Sequence, residues 1–470
     1  MLLQKMLLQN PNLNYRLANN SPTGTKPRQQ YISHTITSQT EMHETRPAKI
    51  TSPIVDLGGA HVKLMPLALI VGAIGVGLTY VLYGFSLQRF SYIYLVNFAF
   101  VLTMCIGCLF FVTISHLTRA GWNVTVRRIA ELYAQCLPVL FVLFLPILIP
   151  LLFSDNGLYV WNQAGWSIHN ADASVIEAVN EPGAQIPPLE ALKRTYLNKG
   201  FFALRWVVYF CIWGGMATFF LRTSLKQDET GNKNLTSRMQ AFSAPAMIVF
   251  AVSIVFSSMD LLMSLEPLWF STMFPVYFFA GSVLSALALI TLTCLYLQKT
   301  GRITDEVTVE HYHDMGKLMF GFIVFWGYIA FSQFMLIWYA NIPEETFWYD
   351  LRINQPGWKG LSLILLVGHL FIPFFLLMGR GLRRNKILLT ISAVFILCMH
   401  WVDHYWLVMP HLNPGENEFT LSGMGFLTGI SCLVGMIAVY IALFCIVTGN
   451  RPFVPLQEPR LGEALNHEVH

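Results

Sequence analysis

Charge is what this chain has least of. Of its 470 residues only 12% are Asp, Glu, Lys or Arg, about half the roughly 25% of an ordinary soluble domain. A water-soluble globule of this length is excluded. The net charge of +4 is too small and too scattered to suggest a nucleic-acid partner. The first 60 residues lack an apolar run that could serve as the core of a cleavable signal peptide. Cysteine is also scarce, with eight in all, mostly inside apolar segments, so a secreted disulfide framework is not expected. Cys105 and Cys108 have CxxC spacing. No second pair completes a zinc or cluster site, and no His follows to make a haem-attachment signature. Small polarisable side chains at a helix contact account for them.

What the chain has instead is apolar length. It is 54% hydrophobic with a mean hydropathy of +0.52, the composition of a polytopic membrane protein. A bilayer core takes about 20 apolar residues per helix. Ten stretches qualify, near 65–83, 92–116, 129–152, 200–222, 244–266, 271–298, 312–340, 358–378, 387–410 and 422–447. They are too long for barrel strands and lack period-two alternation, which leaves the helix. The fold expected is an all-α integral membrane domain over 64–450, preceded by a polar, disordered tail (1–63) and followed by a short tail (451–470).

Lys and Arg concentrate in loops 117–128, 222–243 and 379–386 and in both tails. The other side holds Arg89, Lys193, Arg194, Lys199, Arg352 and Lys359. By the positive-inside rule the first set is cytoplasmic, 153–199 and 341–357 face the opposite side, and both termini lie inside.

Two of these spans repeat one feature. Asp260 precedes Pro267 by seven residues and Asp403 precedes Pro410 by seven, each near the end of an apolar stretch. A carboxylate in hydrocarbon costs roughly 2.5–3.5 kcal/mol on insertion scales, so its recurrence marks an internal repeat and a polar path. Four spans separate the copies, which makes the repeat parallel. Two four-helix bundles follow, over about 92–266 and 271–410, with the first and last spans as flanking helices.

Around the second acid, His400, Asp403 and His404 fall at i, i+3 and i+4 and share one helix face, with Tyr405 next along the chain. They could exchange protons, meet a quinone headgroup, or simply hydrogen-bond the bundle together. A metal needs a further acid. His369 could extend the polar path toward the cytoplasm, and Asp260 with Glu266 forms a second candidate cluster. No pair of histidines on facing helices is evident, so haem is not expected.

Four segments then carry a resemblance. Gln333 through Thr346 (QFMLIWYANIPEET), Thr118–Trp122 with Arg127–Glu131, Tyr196–Asn198 with Phe201 and Phe202, and Asp403–Pro410 (DHYWLVMP) closely resemble ActF-type subunits of bacterial alternative complex III. That family is NrfD-like and is similar to the membrane subunit of polysulfide reductase. The match runs in order over about residues 65–450.

The resemblance implies ten helices with two four-helix bundles, and a subunit of a quinol:cytochrome c oxidoreductase in a bacterial inner membrane. It implies several partners: an NrfD-like paralogue, an iron–sulfur subunit with a molybdopterin-like fold, and multihaem cytochrome c subunits. The haem c and iron–sulfur clusters would belong to those partners and no cofactor to this chain, which would line a proton path or a quinone pocket. The paralogue, nearer the redox centres, is the stronger place for quinol oxidation. A secondary transporter and a structural anchor for a catalytic paralogue are the competing readings.

Overall fold

A backbone in hydrocarbon must satisfy its own N–H and C=O groups, and a run of 20 or more apolar residues does so as a helix. The computed structural model describes residues 59–154, 158–162, 195–355, 357–412 and 423–468. It is 83% helical with no strand among the described residues, which makes the fold all-α. Ten helices among them are long and apolar enough to cross a membrane: His61–Leu82, Leu87–Leu117, Val124–Phe153, Lys199–Thr230, Asn234–Leu265, Phe274–Lys299, Val309–Ala340, Trp358–Met378, Lys386–His411 and Leu427–Thr448. We call them spans one to ten. They coincide in number and order with the apolar stretches of the sequence. Residues 1–58 of the expected N-terminal tail and most of 153–199 lie outside the described residues, while the first helix already begins at Ala60, inside the range expected for the tail.

Spans four, five and seven reach 32 residues each, about 48 Å at a rise of about 1.5 Å per residue. They therefore emerge from a core of about 30 Å and take up much of what the sequence suggested were loops. The 222–243 loop shrinks to the few residues between Thr230 and Asn234. Span three starts at Val124, so Arg127 and Arg128 are helical and buried, not loop residues. Arg128 meets Asp228 at 2.6 Å and Glu131 at 3.1 Å, while Arg127 meets Glu458 of the C-terminal tail at 3.1 Å. Between spans seven and eight lies an additional helix, Pro343–Ile353, that is too short to cross.

Spans two to five pack together, as do spans six to nine, while spans one and ten lie against each other at the flank. Span two is the most enclosed, 94% buried over its apolar window, because it packs on its own bundle and on spans six and nine of the other. Gly107 permits that approach. A Cβ there would collide with the Ser282 carbonyl oxygen and the Ala286 side chain of span six. Spans five and six break where the sequence predicted, at Glu266 and Pro267, after a short 3-10 turn at Met263–Leu265.

Candidate functional site

Span eight is locally a π-helix over Leu366–Phe371, between α-helical turns. Pro373 explains it: proline has no N–H for the His369 carbonyl four residues back, and its ring crowds that oxygen. The wider turn keeps His369 fully buried and aims it at span nine. Gly368 lets the two helices close, since a Cβ there would come within 2.7 Å of Met399 Cε.

Span nine supplies the rest. His400 and His404, one turn apart, have ring centroids 4.5 Å from each other, and His369 lies 6.2 Å from His400. The Tyr277 hydroxyl of span six donates to Asp403 Oδ1. Trp326 of span seven packs at a tilt against two of these rings, with centroids 4.0 Å from His369 and 5.4 Å from Tyr277. Spans six to nine thus all contribute, and Thr103 of span two contacts His400 Nε2 at 3.0 Å. His369, His400, Asp403 and His404 are each at most 2% exposed.

Hydrogen-bond partners assign the proton on two of the rings. The Thr103 hydroxyl is within 2.9 Å of the Ala99 and Phe100 carbonyls, which can only accept. Its hydrogen goes there, so it accepts from His400 Nε2–H. His404 Nδ1 donates to the His400 carbonyl at 2.9 Å. In the neutral rings the bare nitrogens are then His400 Nδ1 and His404 Nε2, and both are buried without a hydrogen-bond partner among the described residues, as are both nitrogens of His369. Leaving a buried polar atom unpaired costs about 1–3 kcal/mol. Three such rings side by side are a concentration of unspent acceptor capacity.

Asp403 has no cationic side chain at ion-pair distance among the described residues. Donor atoms of His400, Asp403 and His404 do lie within 4.8 Å of one another, close enough to converge on one cation, although no metal site was expected from the sequence. The facing-helix criterion for haem also changes, because His369 does face His400. Trp326 packs against His369 at a ring angle of 34°, and the backbone of Gly281 lies close to His400, whose Cε1 an added Cβ would meet at 3.1 Å.

The first-bundle acid sits in a different environment. Asp260 takes a bidentate bond from Arg205 of span four, Nε to Oδ2 at 2.7 Å and Nη2 to Oδ1 at 2.9 Å, and a third from the Tyr209 hydroxyl at 2.8 Å. Arg205 also donates to the Tyr196 carbonyl at 2.9 Å and lies 3.9 Å over the Tyr196 ring. Arg205 is not among the residues that the sequence singles out, although it stands within an apolar stretch. A basic residue there, one span from a membrane acid, is the signal that would have found the pair.

Glu266 does not join Asp260. Its carboxylate lies 4.0 Å from His411 Nδ1, and His411 Nε2 is 2.9 Å from Arg352. Arg352, taken from the sequence as a loop cation, is wholly buried. It donates to the carbonyls of Trp348, Trp406 and Leu407 at 2.7–3.2 Å and stacks 3.4 Å over the Trp348 ring. Burial lowers its pKa to about 9, which still leaves it charged at neutral pH. Tyr405 is apart from the cluster too. Two residues beyond Asp403 it is turned about 200° around the helix, and it packs between Trp401 and Trp358.

The sequence matches no protein-family model and no curated protein. What the site does must follow from its residues.

Proposed function

We propose that this chain is a membrane subunit of a respiratory quinol:cytochrome c oxidoreductase of the alternative complex III kind, and that its second bundle conducts protons through Asp403, His404, His400 and His369. One observation carries the reading: among the described residues, a buried acid with no countercharge stands beside three imidazoles with nitrogens lacking a hydrogen-bond partner. Such groups can take up and pass on a proton, whereas a packing cluster gains by closing its hydrogen bonds. The DHYWLVMP segment that resembles the family contains two of these four residues. On this reading the protein sits in a bacterial inner membrane with both termini cytoplasmic, beside a paralogue that oxidises quinol and partners that hold haem c and iron–sulfur clusters.

The geometry favours protons over a quinone pocket in this chain, because the cluster is closed on all sides by spans two and six to nine. A structural role suits the first bundle, where Arg205 neutralises Asp260. Asp403→Asn keeps shape and still accepts from Tyr277, but cannot titrate. In the intact complex it should leave assembly unchanged and cut quinol-linked proton movement at least tenfold. Normal turnover and normal proton release in that variant would reject the proton path.

A further inference from the structure

A groove runs along the membrane face of the first bundle between spans three, four and five. Its volume is about 590 Å³, and it is lined by Pro138, Gly214, Gly215 and Phe219 along its length, with Arg222 and Arg238 also on its wall. The groove is shallow and open along its outer side, so an occupant would lie in it lengthwise and remain partly exposed. The trough exists because two consecutive residues of span four have no side chain. A Cβ on Gly214 would come within 3.1 Å of Pro138, and one on Gly215 would project into open space.

Dimensions and charge narrow the occupant. Eight residues of helix from Gly214 to Arg222 cover about 12 Å, close to one leaflet of hydrocarbon, about 15 Å. The apolar trough therefore lies at acyl-chain depth and the guanidinium groups at headgroup depth. Both arginines are exposed, and neither makes an ion pair among the described residues. The Arg238 guanidinium lies 5.6 Å over the Phe219 ring, which holds it beside the groove. Arginine is suited to phosphate through its fork of donors.

We propose that this groove binds an anionic phospholipid, one acyl chain along Gly214 and Gly215 and the phosphate between Arg222 and Arg238. A free phosphate would use the same two arginines but leave the apolar trough without a role. Basic residues at a membrane surface favour anionic over zwitterionic lipid, and two of them should give roughly a ten- to thirtyfold preference.

The full chain, reconstituted in phosphatidylcholine vesicles, would be titrated with spin-labelled phosphatidylglycerol and, separately, spin-labelled phosphatidylcholine, and the immobilised fraction read by electron paramagnetic resonance. At least one site per chain should prefer phosphatidylglycerol about tenfold or more. R222Q/R238Q should bring it to the phosphatidylcholine level, and Gly215→Phe, which fills open space, should displace both lipids. Excess inorganic phosphate should not release the bound label. Equal retention of the two lipids by the unaltered chain would overturn the proposal, as would a preference that survives the double substitution. Release by inorganic phosphate, with the preference intact in Gly215→Phe, would reduce the site to a simple anion site and overturn it equally.

Discussion

The Arg205–Asp260 pair should be the strongest side-chain interaction holding spans four and five together, and a double-mutant cycle can measure it. Both partners are out of solvent, at 9% and 0% side-chain exposure, and their contact is bidentate. Taking one member from a buried pair leaves an uncompensated charge and costs about 3–5 kcal/mol. Asp260→Asn strands the guanidinium, and Arg205→Gln strands the carboxylate. The double variant strands neither, so it should be less damaged than the sum of the singles, with a coupling energy of at least about 2 kcal/mol. Asp403→Asn is the control. Asparagine can still accept from Tyr277 and no cation is abandoned, so its cost should stay below about 1 kcal/mol. Unfolding of the purified protein by titration with sodium dodecyl sulfate, followed by tryptophan fluorescence, gives all four corners. A coupling energy under about 0.5 kcal/mol, or an Asp403→Asn variant as unstable as Asp260→Asn, would refute the assignment of Asp260 to structure.

Three further outcomes are expected. Gly107→Leu should destabilise by more than the roughly 1–3 kcal/mol of ordinary overpacking, because the side chain meets the backbone of span six; the same detergent titration reads it, and Gly77→Leu, where a Cβ meets nothing, should be near neutral. Arg352→Lys should cost about 2 kcal/mol or more, since one ammonium cannot bond three carbonyls and His411 in their present directions; lower resistance to proteolysis in the segment from Pro343 to Ile353 would report it. In intact spheroplasts an impermeant maleimide should label Lys359→Cys and reach Lys226→Cys only after permeabilisation. The reverse pattern would invert the topology.

The number, order and class of the spans were legible because apolar length is a local property, and the break at Glu266 and Pro267 was legible because proline acts on its own chain. The His400, Asp403, His404 face was legible for the same reason, through i, i+3 and i+4 spacing. Partners were not. Nothing local distinguishes Asp260, met by Arg205 from another helix, from Asp403, which meets the Tyr277 hydroxyl and no cation at ion-pair distance among the described residues. His369 could be read as an extension of the polar path, but its neighbour could not be: it lies beside His400, with ring centroids 6.2 Å apart. Arg127, Arg128 and Arg352 were counted as loop cations because charge reads as exposure, and several of the groups that make their burial possible, Asp228, Glu458 and the Trp406 and Leu407 carbonyls, are far away in sequence. The Arg127, Arg128, Glu131 spacing was a visible hint, since i, i+3 and i+4 pairs imply helix.

The difference between the two acids bears on function more than their likeness does. If both halves descend from one four-helix unit, each acid began in the same place, two turns from the same end of the last helix. In the first half the position has acquired a guanidinium and a tyrosine hydroxyl, three donors aimed at one carboxylate. A proton arriving there would have to break a bidentate ion pair, which makes that site a poor relay and a good clamp. In the second half the equivalent acid has one tyrosine donor and, on its own helix, two imidazoles with bare acceptor nitrogens. An added proton there breaks no ion pair and finds neighbouring acceptors one helical turn away. Hardening one copy while leaving the other unpaired is the division expected if one bundle supports and the other conducts. It also means that His404→Gln, which removes an acceptor but no charge partner, should impair proton movement while leaving the Arg205–Asp260 coupling energy unchanged. Loss of both together would show that the two halves act as a single cluster, and the division of labour would then be wrong.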